Sequence, residues 1–249
     1  MSVGRAPSGV QAILLDVEGT TTPLAFVADT LVPYARAHLR RHLEQHCGER
    51  DYATLLKDLH DEHAHDRGAG QPVPAWAEAP GATNLTSAMA YLEWLTDRDR
   101  KSTTLKELQG RVWEEGYRLG DLRGEVFADV PEAFSRWRAQ GLELGIFSSG
   151  SVLAQQLLFR YSSAGDLTGH LRWHFDTAVG PKGDAASYAR IAAAMTLPPH
   201  AVLFLSDVVR ELDAARAAGL QTRLVVRPGN AAVPEGHGHV VTETFDEVK

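Results

Sequence analysis

The sequence predicts an α/β fold, a doubly wound and mostly parallel sheet whose first strand is followed by a helical insertion. Three observations lead there. Four short apolar runs each end in a polar or acidic turn. Helical patterns separate the last three of them. The stretch 26–123 has helical patterns but no convincing strand.

The first run, Val10-Gln-Ala-Ile-Leu-Leu-Asp16, is nearly all apolar and then turns through Gly19 and three threonines. Such a run fits a strand buried on both faces and feeding a polar loop. Leu142-Glu-Leu-Gly-Ile-Phe147 leads to Ser148, Ser149 and Gly150; Ala201-Val-Leu-Phe-Leu205 leads to Ser206 and Asp207; Thr222-Arg-Leu-Val-Val226 leads to Arg227, Pro228 and Gly229. Residues 173–179 form a weaker strand candidate before Gly180-Pro181-Lys182. Helices are expected over 131–140, 151–161, 184–195 and 208–218; the first opens at Pro131 and closes at Gly141. Strand–helix alternation implies parallel strands in a Rossmann-like sheet, where ligands bind beyond the carboxyl ends of the strands. Asp16, Ser148, Ser149 and Asp207 fall at those ends.

Four further helices are expected over 26–46, 51–67, 83–96 and 103–119, with a Pro-, Gly- and Ala-rich loop over 68–81. The expected division is a core of 1–25 and 124–249 with a helical cap of 26–123, placed over the mouth of the sheet. A short strand around 239–242 is expected in the tail.

The chain has 249 residues, an ordinary globular composition at 44% hydrophobic, and a net charge of -7. Phosphate backbones and anionic membranes reward clustered Lys and Arg, so neither nucleic acid nor a membrane surface is expected as a partner. A small phosphorylated molecule remains open, because a metal and a few placed cations suffice. The single cysteine, Cys47, makes no intrachain disulfide. Residues 1–9 do not read as a signal peptide and no long apolar span occurs, so a cytoplasmic location is expected.

Chemistry concentrates at the strand ends. Asp16 and Glu18 straddle the end of a strand, where two carboxylates can approach one divalent cation; hard oxygen donors suit magnesium. A carboxylate in line with phosphorus acts as a nucleophile. Ser148 and Ser149 precede a helix start, a natural anion site. Lys182 lies in a rigid Gly-Pro-Lys-Gly loop. Asp207 ends an apolar strand, where an unpaired acid is costly and metal ligation accounts for it. Glu211 and Asp213 follow on the next helix. Each feature also has a plain reading taken singly: a solvated strand-end turn, a serine N-cap, a loop lysine, or acids favouring a helix start.

The order Asp, Ser, Lys, Asp along such a sheet resembles the haloacid dehalogenase-like phosphohydrolases over nearly the whole chain. Local sequence is closer still to the enolase-phosphatases of methionine salvage. The residues are Leu15-Asp-Val-Glu-Gly-Thr-Thr-Thr-Pro23, Phe26-Val, Pro33-Tyr34, Phe147-Ser-Ser-Gly-Ser-Val152, Asp176-Thr177, Gly180-Pro-Lys182, Ser187-Tyr188, Phe204-Leu-Ser-Asp-Val208 and Glu211-Leu-Asp-Ala-Ala215. The resemblance implies Asp16 as nucleophile and magnesium ligand, and Glu18 as acid/base group in place of the superfamily's usual Asp. It implies Glu18 and Asp207 at the metal, and Ser148, Ser149 and Lys182 at the substrate phosphate. It implies a monomer that enolises 2,3-diketo-5-methylthiopentyl-1-phosphate and then removes its phosphate with Mg2+, the cap closing over the substrate. The enolisation base is either Glu18 or a group on the cap. Alternatives are a phosphatase for another small phosphate ester, a dehalogenase, and a non-catalytic phosphate-binding module. Glu18 and Asp207 speak against the dehalogenase, which needs no magnesium.

Other features are expected to be structural. His38, His42 and His46 share one helix face, but no carboxylate partner is evident, so a solvated face is expected. His60, His63 and His65 among acids are expected on the cap surface. Cys47 and the five tryptophans carry no evident chemistry.

Overall fold

The computed structural model describes residues 9–77, 82–98 and 100–248. The segment before Gly9, expected not to be a signal peptide, and the 78–81 part of the Pro- and Gly-rich loop lie outside the described residues.

The elements run β1 (Ala12–Leu15), α1 (Leu24–Phe26), a π-helical turn (Val27–Leu31), α2 (Val32–His46), α3 (Arg50–Gly68), α4 (Ala82–Asp97), α5 (Thr103–Leu119), α6 (Val130–Ala139), β2 (Glu143–Phe147), α7 (Val152–Arg160), β3 (Leu171–Phe175), α8 (Ala185–Ala194), β4 (Val202–Ser206), α9 (Val209–Ala217), β5 (Gln221–Val225) and β6 (Val240–Thr242). Leu31–Leu119 forms one compact unit, and the rest of the described chain forms the other.

In the larger unit all six strands are parallel in the order β3-β2-β1-β4-β5-β6. The strand order reverses between β1 and β4, the switch point where doubly wound sheets open a crevice. β1 is fully buried along its length, because helices cover both faces. Leu14, Phe147, Tyr188, Ile191, Phe204, Leu212 and Leu224 pack one side. Trp137 and Phe134 of α6 are likewise fully buried. The Trp137 indole donates to the Val248 carbonyl at 2.8 Å, which ties down the C-terminus.

β3 lies earlier than expected, at Leu171–Phe175 rather than 173–179. Asp176 stops it: its carboxylate accepts from Ala178 N at 2.8 Å and Val152 N at 3.3 Å, which forms a turn.

The smaller unit is helical. Its core is Leu39, Leu43, Tyr52, Leu59, Tyr91, Leu92, Leu95, Leu108 and Val112. A Cβ on Gly116 of α5 would lie 2.6 Å from the Tyr34 ring, so the glycine lets α2 and α5 approach closely. Two expectations are corrected here. His63 is not on the surface but buried, with Nε2 on the Pro74 carbonyl at 2.8 Å; its neighbour Asp66 is buried on Tyr91 Oη and Arg100. The α2 histidine face is not wholly solvated either. His42 is buried and meets Glu115 of α5 at 2.7 Å, a partner distant in sequence. Among the described residues no helix is long and apolar enough to cross a membrane.

Candidate active site

Asp16 follows β1 directly, and its N–H donates to Leu205 O of β4 at 2.9 Å, so the sheet fixes its backbone. Its side chain is buried, 6% exposed. Val17 N donates to Asp16 Oδ1 at 2.7 Å. Lys182 Nζ donates to the same oxygen at 2.6 Å and reaches Glu211 Oε2 at 2.7 Å. Ser206 Oγ, at the end of β4, spans Asp16 Oδ2 at 3.3 Å and Glu211 Oε2 at 3.2 Å. Asp16, Lys182, Glu211 and Ser206 thus form one buried polar cluster at the switch point.

Lys182 is placed by its loop. Tyr188 Oη donates to the Lys182 carbonyl at 2.7 Å, and Ser187 Oγ donates to the Pro181 carbonyl at 2.8 Å. Both donors belong to α8. The ammonium lies 5.7 Å from the Phe147 ring centroid. Burial opposes its charge, but Asp16 and Glu211 outweigh burial and hold its pKa above the usual lysine value.

Asp207 follows β4. Its carboxyl is pushed up to about 6, first by burial and then by the charge of Asp16, with Glu18 adding to it. Burial, then Asp16, also raises Glu211. Gly19 has φ +71, and a Cβ there would lie 2.7 Å from Asp207 Cγ. The turn carrying Glu18 therefore presses against Asp207, and only glycine fits both the angle and the space.

Asp16 and Glu211 thus meet on one ammonium, Asp207 lies close enough to feel their charge and that of Glu18, and Asp207 and Glu211 resist ionisation. An oxygen-rich site short of positive charge fits a hard divalent cation such as Mg2+.

The turn after Asp16 is held from both sides. Thr20, Thr21 and Thr22 N–H groups all converge on Val17 O, and Phe127 N donates to Thr21 O at 3.0 Å. Arg227 Nε donates to Thr20 O at 3.2 Å, and Asn230 Nδ2 to Gly19 O at 3.0 Å. Arg227 is buried, with Asp129 Oδ2 at 2.8 Å and the rings of Phe127 and Phe245 against its guanidinium.

Ser148 and Ser149 stand where expected, just past β2, the strand beside β1. Ser148 is buried, and its Oγ accepts from Gly150 N at 3.1 Å. Ser151 caps α7, accepting from Ala154 N at 3.2 Å. Asp213 does not join the cluster: it pairs with Arg216 and His239. Sequence reading named Glu211 without a role and missed Ser206, Arg227, Asn230 and Asp129. The polar ends of the β4 and β5 runs were the available signal.

The chain belongs to the haloacid dehalogenase-like hydrolase family, whose model matches residues 10–219. Within it, the similar proteins are enolase-phosphatases. "Enolase-phosphatase E1" of Synechococcus elongatus is 49% identical over 97% of this chain and 99% of that protein. The Sorangium cellulosum protein of the same name is 46% identical over 96% and 97%, and that of Pseudomonas aeruginosa 43% over 96% and 98%. Among solved structures, the UTR4 protein of Saccharomyces cerevisiae superposes with a TM-score of 0.77 at 33% identity, covering 95% of this chain and 98% of that one. A dehalogenase at 16% identity and TM-score 0.53 shares the fold alone. The chain is accordingly a phosphatase of this family.

Proposed function

We propose that the chain is a Mg2+-dependent enolase-phosphatase acting on 2,3-diketo-5-methylthiopentyl-1-phosphate in methionine salvage, as a cytoplasmic monomer. The observation that carries the site assignment is the Asp16–Lys182–Glu211 cluster at the switch point, with Asp207 against the following turn. The naming of its relatives supports the substrate.

Asp16 is the nucleophile: a carboxylate oxygen attacks phosphorus, the ester C–O–P linkage breaks at phosphorus, and an aspartyl-phosphate forms. Glu18 gives a proton to the leaving oxygen, then takes one from the water that hydrolyses the aspartyl-phosphate. Lys182, Ser148 and Ser149 hold the phosphate oxygens. Asp16, Asp207 and the Glu18 segment would hold Mg2+, which when bound supplies positive charge to the phosphate and to an enolate. Glu211 and Ser206 hold Lys182 and Asp16 in register. A core domain of 1–25 and 124–249 with a cap of 26–123 is part of the same proposal.

The test follows diketone absorbance and free phosphate together for the wild type and Asp16→Asn. Wild type should consume diketone and release phosphate, and the variant should release none. Hydrolysis of a different phosphate ester with no action on the diketone would keep the nucleophile and remove the substrate assignment.

A further inference from the structure

We propose that His42, His46 and Glu115 form a second cation site, in the helical unit, for a borderline divalent transition metal of the zinc class. This site is separate from the carboxylate cluster and does not rest on the phosphatase reading.

The three side chains each offer one ligand atom, and these atoms all lie within 4.8 Å of one another. His42 and His46 sit one turn apart on α2, with ring centroids 4.6 Å apart. Glu115 comes from α5, which Gly116 allows close to α2 at Tyr34. Ligand atoms around a tetrahedral ion at about 2.0–2.1 Å stand roughly 3.3 Å from one another. A rotation of the half-exposed His46 closes the remaining gap.

The bland alternative is a hydrogen-bonded histidine, and it explains part of the geometry. His42 Nδ1 meets Glu115 Oε2 at 2.7 Å, so these two groups already share a proton. That bond gives no reason for a second imidazole beside the first. Nor does it explain the outer partners. His42 Nε2 faces Tyr52 Oη at 2.6 Å, and His46 Nδ1 faces Glu49 Oε1 at 2.6 Å. Each ring has one nitrogen engaged by an outer oxygen. Metal-binding histidines are held in this way, with the second N–H given to a carboxylate or hydroxyl so that the other nitrogen keeps its lone pair. His38, the third histidine of the stripe, is not among the side chains whose ligand atoms come together, and its ring stacks on Tyr34 instead.

Two imidazoles and one carboxylate form a donor set that favours zinc, cobalt or nickel over magnesium. The facing charges are Arg41, 3.8 Å from Glu115 Oε1, Arg111 over the Tyr52 ring, and Glu49. Binding replaces the hydrogen bond between His42 Nδ1 and Glu115: the ring proton shifts to Nε2, where Tyr52 Oη accepts it. The ion ties α2 to α5, and Tyr52 brings α3 into the same cluster.

The experiment uses the full chain, stripped with a chelator and held in excess Mg2+ so that the carboxylate site is saturated. Co2+ is titrated in, its visible d–d absorption is followed, and Zn2+ is then used to displace it. One equivalent should bind saturably, with His46→Gln and Glu115→Gln each at least tenfold weaker. Tyr52→Phe should weaken binding by about tenfold, the range for an outer-sphere partner. Zn2+ should raise the Tm of the wild type and not of His46→Gln, whose half-exposed position spares the fold. Absence of a saturable band, or a titration of His46→Gln matching the wild type, overturns the proposal.

Discussion

Lys182 is held between Asp16 at 2.6 Å and Glu211 at 2.7 Å, with little water around it. A buried ammonium in that position neutralises Asp16, the proposed nucleophile, which would otherwise repel a phosphate dianion. Removing it leaves the carboxylates facing one another. Lys182→Met should lower kcat by about 10²–10³, the usual scale for losing one preorganised charge. Its Tm should also fall in metal-free buffer. Glu211→Gln keeps the shape and Lys182, so a loss of only about tenfold is expected; an equal loss would make Glu211 a direct participant. Gly19→Ala combines a left-handed backbone angle with overlap on Asp207. It should cost about 1–2 kcal/mol of stability and reduce phosphate release, measured by thermal unfolding and by turnover. Asp16, Lys182 and Asp207 could be read from sequence because each follows an apolar run or sits in a stiff turn. Ser206 could not, since its partner Asp16 is 190 positions away and only β1–β4 pairing joins them.

At the scale of elements, the site is a loop clamped by other loops. The turn after β1 offers its carbonyls outward, and the segment after β5 takes two of them through Arg227 and Asn230. Arg227 in turn neutralises Asp129, whose second contact is Phe245 N at 2.6 Å. Arg227→Met strands a largely covered carboxylate and should destabilise by about 2–4 kcal/mol. The double variant with Asp129→Asn should recover part of that loss, because the uncompensated charge is gone. An additive double variant in urea unfolding would show that the two residues act separately. Asn230→Ala should leave stability nearly intact and lower kcat more than it raises KM, as the turn after Asp16 loosens. The strands themselves were legible because parallel strands buried on both faces are continuous apolar runs. β3 was misplaced because it is an edge strand: Arg172 is exposed, Trp173 and His174 are half-buried, and its stop depends on Asp176 reaching across to α7. The Glu115–His42 pairing was invisible for a related reason, since it needs α2 and α5 side by side.

Across the whole molecule, the fold gathers carboxylates at the switch point beside a single buried lysine, and an added cation would relieve the charge that Lys182 leaves unmatched. Asp207 makes this measurable. Its carboxyl pKa in the folded chain is about 6, against an ordinary 3.8, so the folded state holds that proton more tightly than the unfolded state does. Well below 3.8 both states are protonated and the group has no effect. Between 3.8 and about 6 the unfolded state ionises while the folded state keeps its proton, so stability falls with pH across that window and levels off above it. In chelator at pH 8, Asp207→Asn should therefore be more stable than the wild type by about 1–2 kcal/mol after allowance for partial exposure. At about pH 3, below both values, the difference should have largely vanished. Mg2+ should then raise the Tm of the wild type and restore its phosphate release, with little effect on the Tm of the variant, which lacks the carboxylate. If the two proteins unfold together at both pH values, the charge crowding is relieved within the chain itself, and the case for a divalent cation loses its electrostatic ground.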